Sequence, residues 1–241
     1  MKMTVVEDEM FATAAATALL ASLPPDAPRL GVATGGTPLR LYAELARRSR
    51  RGDIDLSDAV VIALDEYVGL GDGDPHSYAA YVTEHIAGPL GIRPANVHVP
   101  QCSGADPVAA AAQFEDRIAD LGGVDVQIAG IGSNGHLAFN EPGSPLDSTT
   151  RVVALSERTR HDNARFFGGR VHDVPRRAIT QGLATISRAR SILLLAAGRS
   201  KADALAAALC GPVDAGVPAS VLQRHSDVTV LADPPAWSRM A

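Results

Sequence analysis

The sequence predicts an α/β fold, with a mostly parallel sheet covered by helices on both faces. Three observations carry this. Strand-length apolar segments alternate with helix-length amphipathic ones along the whole chain of 241 residues. Strands such as Ala59–Leu64 and Ser191–Ala196 are nearly continuous apolar runs, as expected of strands buried on both faces. No linker, repeat or low-complexity tract interrupts the alternation, so a single domain over residues 1–241 is expected.

The elements follow in order. Met3–Val6 reads as a strand and Asp8–Ala21 as an amphipathic helix with acidic residues in its first turn, where they complement the helix dipole. Leu30–Thr34 is a strand, and Pro38–Arg48 a helix whose proline suits the first helical position. The strand Ala59–Leu64 precedes a helix over Ser77–Ile86, and a brief strand Val97–Val99 precedes the helix Pro107–Leu121. After the strand Val124–Ala129 comes a long loop rich in Gly, Pro and Asn. Strands are expected at Arg151–Leu155 and Ser191–Ala196, a helix at Arg199–Leu209, and a last strand, Val228–Leu231, to close the sheet. Open sheets of this kind bind ligands at the carboxyl ends of their strands. The segments that carry chemistry fall there.

Composition narrows the function classes. Net charge is −5, which gives little footing for nucleic acid or an anionic membrane. Cys102 and Cys210 are too few and too scattered for a disulfide framework or a thiolate metal site. Glu7, Asp8 and Glu9 stand where a signal peptide would turn apolar. The apolar runs, Ile192–Ala197 among them, are far shorter than a membrane span. A cytoplasmic protein is expected. Of the 22 basic residues only Lys2 and Lys201 are lysine, so Lys201 raises the question of why arginine does not serve there.

Ala33-Thr34-Gly35-Gly36-Thr37-Pro38 joins a strand to a helix. Gly35 and Gly36 allow the backbone close to an anion, Thr37 suits the helix cap, and the helix start offers free N–H donors. The pattern is neither a dinucleotide fingerprint nor a P-loop, so a small phosphate ester fits it better than a nucleotide. Lys201 sits in a similar turn, Ala197-Gly198-Arg199-Ser200-Lys201, where cations oppose the helix dipole unless an anion offsets them. Arg165, in Ala164-Arg165-Phe166-Phe167, reads by itself as an exposed helical arginine.

Acid–base candidates lie on two other loops. Asp65 and Glu66 end the strand Ala59–Leu64. Adjacent carboxylates there can point apart, one into the site and one to a structural partner. A carboxylate held against a sugar carbon can shuttle a proton, a role worth on the order of 10²–10⁴-fold in rate. In Gly130-Ile131-Gly132-Ser133-Asn134-Gly135-His136-Leu137-Ala138-Phe139-Asn140-Glu141-Pro142, the carboxylate of Glu141 can orient the His136 imidazole. His136 can open a pyranose ring by moving a proton between O1 and O5. The seven histidines form no metal-binding pair, so no metal is expected.

Taken in order, Thr34–Pro38, Asp65-Glu66-Tyr67-Val68-Gly69-Leu70, Gly135–Pro142 and Ala164–Phe167 resemble the motifs of glucosamine-6-phosphate deaminases. Pro175-Arg176-Arg177-Ala178-Ile179-Thr180 and Gly198–Ala202 continue the resemblance, which runs to about Pro235. It implies a modified Rossmann-like fold and conversion of glucosamine 6-phosphate to fructose 6-phosphate and ammonia, without metal or cofactor, in amino-sugar catabolism. Asp65 would move a proton from C2 toward C1 through an enolamine. His136, supported by Glu141, would open the ring. The Gly35–Thr37 backbone, Arg165 and Lys201 would hold the phosphate.

Two departures from the family's pattern bear on this reading. Many members have Asp directly before the Gly-His pair, where this chain has Asn134; Asn134 is still counted in the catalytic set, and His136 would then lean on Glu141 alone. Members activated by N-acetylglucosamine 6-phosphate carry a basic residue two places after the arginine matching Arg151, and this chain has Val153 there and ends soon after Trp237. Allosteric activation is therefore not expected, and either a monomer or a homo-oligomer fits. Tyr67 and Phe139-Asn140-Glu141 favour the deaminase over 6-phosphogluconolactonase, whose motifs continue Asp-Glu-Arg and His-Thr-Ala-Ser. A galactosamine-6-phosphate deaminase shares these motifs and stays open. A sensor without turnover would need the phosphate grip but not Asp65, His136 and Glu141 together.

Overall fold

The computed structural model describes residues 1–240. The chain runs β1 (Lys2–Val5), α1 (Asp8–Ser22), β2 (Arg29–Val32), α2 (Gly36–Arg50), β3 (Val60–Ala63), β4 (Asp65–Tyr67), α3 (Tyr78–Val82) and α4 (Gly88–Leu90). It continues β5 (Val97–His98), α5 (Pro107–Asp120), β6 (Val126–Gly130), β7 (Arg151–Ala154), α6 (Glu157–Asn163), β8 (Arg177–Thr180) and α7 (Leu183–Ile186). β9 (Ser191–Ala196), α8 (Ala202–Cys210), β10 (Val228–Ala232) and α9 (Pro234–Trp237) complete it. The helix expected at Ser77–Ile86 is α3, which widens into a π turn at Thr83–Ala87 before reaching α4. Pro89, with no N–H to give, stands two residues past that widening.

Seven strands form one parallel sheet in the order β1-β10-β9-β6-β2-β3-β5. The apolar strands explain its layering. Along β9, Ile192 and Leu194 join one core while Leu193 and Leu195 join the other, as the two-residue strand period requires. One core takes Phe114 and Ile118 of α5 and Leu205 of α8; the other takes Phe11 of α1 and Leu41, Tyr42 and Leu45 of α2. Helices thus cover both faces, as expected. The last strand β10 does not close the sheet: it lies between β1 and β9, and β1 is the edge.

A second sheet was not legible. β4, β8 and β7 pair antiparallel in a separate three-stranded sheet. The strand expected at Arg151–Leu155 belongs to it rather than to the parallel sheet. Asp65 therefore does not end β3 but opens β4 after a break at Leu64. Gln181 fixes that break, its N–H donating to the Leu64 carbonyl at 2.8 Å and its side-chain amide to the Ala63 carbonyl at 2.9 Å. Tyr67, Phe139, Phe167 and Ala178 form a small core beside this sheet.

The chain order places the site. From β2 the strands proceed to β3 and β5 on one side, and from β6 to β9 and β10 on the other. The reversal between β2 and β6 opens a crevice at the carboxyl ends of the strands.

Candidate active site

A cleft of about 540 Å³ occupies that crevice, and Gly35, Gly36, Thr37, Asp65, His136, Arg165 and Lys201 all line it. Asn134 and Glu141 do not; they stand behind His136.

The anion cradle is built from the turn after β2. Gly35 adopts φ 109°, a conformation that costs a residue with a Cβ but not glycine. It makes Gly35 the helix cap, so α2 begins at Gly36 and Thr37 lies inside the first turn, without the capping bond expected of its side chain. Leu39 is the first residue of α2 whose N–H meets a carbonyl, that of Gly35 at 3.2 Å. The N–H groups of Gly36 and Thr37 are left as the orphan donors of a helix start. Two buttresses hold the turn: the hydroxyls of Tyr42 and Tyr81 donate to the carbonyls of Ala33 at 2.8 Å and Gly35 at 3.0 Å. A matching turn follows β9, where Gly198 at φ 90° precedes the helical turn Arg199–Lys201. Burial and the nearby Arg165 guanidinium both hold the Lys201 ammonium below the usual lysine range. Two cations converging on one cleft call for an anionic ligand. Arg165 is exposed, its guanidinium 4.7 Å from the ring centroid of Phe166.

Asp65 and Glu66 separate as expected. Glu66 is 4% exposed and is a structural group: its carboxylate accepts N–H bonds from Tyr67 at 2.8 Å, Tyr78 at 3.0 Å and Ala79 at 2.8 Å. It thereby satisfies donors at the start of α3, alongside the Ser77 cap. Asp65 is 6% exposed and faces the cleft. Burial, reinforced by the Glu66 charge, pushes its carboxyl well above the usual range.

His136 sits on a loop folded back on itself, with the Gly132 N–H donating to the His136 carbonyl at 3.0 Å. The imidazole packs against Gly132 so closely that a Cβ there would lie 2.3 Å from the ring. Burial holds the imidazole below the ordinary histidine range, against the opposing pull of Glu141. The direct carboxylate–imidazole hydrogen bond expected of Glu141 is absent. Asn134 intervenes, its amide donating to Glu141 Oε2 at 2.8 Å and its carbonyl accepting the His136 backbone N–H at 3.2 Å. The amide can serve both neighbours because it is donor and acceptor at once, which a carboxylate is not. Asn140 braces the loop from below; its side chain donates to the Leu137 and Gln181 carbonyls and accepts from Arg151 at 2.8 Å.

Several lining groups escaped the sequence reading. Tyr78 and Asn163 line the cleft and meet at Tyr67, whose hydroxyl takes a 3.3 Å bond from Tyr78 and a 2.9 Å bond from Asn163. Thr159 and Asp162 line it from α6. The signal for them was the polar run Ser156–Asn163 just before Arg165, visible in the sequence but with no periodicity to aim it. Among the described residues no cluster of three or more His, Cys, Asp or Glu is placed to hold a metal, and no helix is long and apolar enough to cross a membrane.

The model of the family described as glucosamine-6-phosphate isomerases/6-phosphogluconolactonase matches residues 6–231. The chain belongs to this family. Within it, a curated glucosamine-6-phosphate deaminase of Cutibacterium acnes is 53% identical over 214 residues, 89% of this chain and 82% of that protein. The glucosamine-6-phosphate deaminase 2 of Bacillus subtilis is 48% identical over 205 residues, 85% and 82% of the two chains. A solved monomeric glucosamine-6-phosphate deaminase superposes with a TM-score of 0.95 at 39% identity, covering 99% of this chain and 100% of its own. The fold alone extends to the 6-phosphogluconolactonase of Leishmania guyanensis, with a TM-score of 0.76 at 22% identity over 98% and 97% of the chains. The modified Rossmann-like fold inferred from the motifs is therefore that of the family.

Proposed function

We propose that this chain isomerises and deaminates glucosamine 6-phosphate, yielding fructose 6-phosphate and ammonia with consumption of one water, in amino-sugar (N-acetylglucosamine) catabolism. One observation carries the reading: a buried carboxyl with a raised pKa and a half-buried imidazole held below the ordinary histidine range face the same cleft as a phosphate-sized cradle. The similarity to curated deaminases supports it.

The phosphate rests on the Gly36 and Thr37 N–H groups, with Gly35 shaping the turn and Arg165 and Lys201 supplying positive charge. This anchors the sugar so that the reacting carbons lie across the cleft. His136 moves a proton between O1 and O5, which opens the ring. Asp65, as carboxylate, takes the proton on C2, leaving an enolamine, and returns it to C1. The C2 imine that results adds water and releases ammonia, leaving the ketone. The raised pKa of Asp65 makes its carboxylate a stronger base than an exposed one, suited to a carbon acid. Asn134 and Glu141 act on the reaction through His136.

Such a substrate places the enzyme in the cytoplasm. Val153, two residues after Arg151, offers no positive charge to an anionic activator, and the enzyme is expected to work without one. Incubation with glucosamine 6-phosphate, with ammonia and fructose 6-phosphate measured, tests the reading. Release of both supports it. No ammonia at high enzyme, together with turnover of 6-phosphogluconolactone, overturns it.

A further inference from the structure

We propose that Thr159, in the first turn of α6, and Ser156, the cap of that helix, are positioning residues for His136, acting through Glu141 and Asn134. The inference rests on the acid–base role just given to His136.

Glu141 is held from three sides, none of them the imidazole. Its Oε1 accepts from the Ser156 hydroxyl at 3.2 Å and from the Thr159 hydroxyl through a short bond, and its Oε2 accepts from the Asn134 amide at 2.8 Å. Asn134 in turn accepts the His136 N–H at 3.2 Å. A chain of hydrogen bonds therefore runs from α6 to the backbone of the histidine. Thr159 is 6% exposed and also lines the cleft, so its hydroxyl donates in a site with little competing water.

The charge balance explains why the hydroxyls are needed. Glu141, Asp162, Lys201 and Arg158 are the charged groups that act on the imidazole. With Glu141 turned toward two hydroxyls and an amide, its charge is spread over three donors and the ring keeps its neutral form. A carboxylate released from α6 would turn to the cation it can reach, a protonated His136, and hold the proton there. The Nδ1 of His136 is buried without a partner, so the ring has an acceptor–donor position ready for such a contact. The same helix leads into the turn that bears Arg165, so the chain also joins the phosphate grip to the proton-transfer group.

The test compares wild type with Thr159→Val and Thr159→Ser. Valine keeps the shape and removes the donor; serine restores it. The lost hydroxyl contact to a charged group is expected to lower kcat by about tenfold with KM within about twofold. The His136 imidazole, followed by NMR in histidine-labelled protein, is expected to titrate at higher pH in Thr159→Val and near the wild-type value in Thr159→Ser. An unmoved titration in folded Thr159→Val, or a change confined to KM, overturns the inference. Should Thr159→Val fail to fold, Ser156→Gly is judged by the same criteria, since glycine is well tolerated at a helix cap. If wild type releases no ammonia, the proposed reaction falls, while the His136 titration still decides this inference.

Discussion

Asp65 carries a cost that its position in the cleft explains. Its carboxyl is raised chiefly by burial, so ionising it is harder in the folded protein than in the unfolded chain. Below the ordinary aspartate range both states are protonated and nothing is lost. As pH rises through the window between the unfolded and the raised folded pKa, the unfolded state releases its proton first and stability falls. Asp65→Asn is therefore expected to raise the melting temperature by a few degrees at pH 7, with the gap closing as the pH falls to about 4. It should abolish turnover while leaving binding of a phosphorylated sugar intact; calorimetric titration checks the second point, and lost binding would mean that Asp65 holds the ligand. Lys201→Ala should raise KM at least about tenfold with a smaller effect on kcat, as expected for loss of a charge-assisted phosphate contact. An unchanged KM would return Lys201 to the role of a surface lysine.

The loop between β6 and β7 works as one element. Gly132 leaves room for the His136 ring, Asn140 ties the loop to Gln181 just past β8, and Glu141, bonded to Asn134 within the loop, ties it to α6. Gly132→Ala is expected to displace the imidazole, because the new Cβ would stand 2.3 Å from the ring, and to lower kcat about a hundredfold or more. Wild-type kcat in a folded Gly132→Ala protein would show that ring placement is not limiting. This element also marks the boundary of what the sequence could say. Gly135–Pro142 was legible as an acid–base loop because its residue types are unusual together. The intervention of Asn134 between Glu141 and His136 was not, because it depends on how a three-strand sheet and α6 close over the loop. β4 and β8 are short, and β4 contains two carboxylates, so neither offered an apolar run to read. Their pairing with β7 is what turns Asp65 into the cleft and Glu66 toward α3.

At the scale of the molecule the parallel sheet was legible because strands such as β3 and β9 are buried and almost wholly apolar. The site followed from it, since the turns after β2, β3, β6 and β9 must meet where the strand order reverses. The phosphate grip draws on two of these turns, after β2 and after β9, and on the segment after α6, and so depends on the whole sheet being assembled. A saturating phosphorylated sugar that binds only the folded state is accordingly expected to raise the melting temperature in a concentration-dependent way, and an unphosphorylated amino sugar at equal concentration to leave it unchanged. Equal shifts with both would place recognition elsewhere than in the cradle. The central claim, that one cleft opens the ring, moves the proton and releases the amine, is tested most directly by product stoichiometry. Wild type supplied with glucosamine 6-phosphate should release ammonia and fructose 6-phosphate in equal amounts, and Asp65→Asn neither; ammonia without the ketose, or equal release by both proteins, would contradict it.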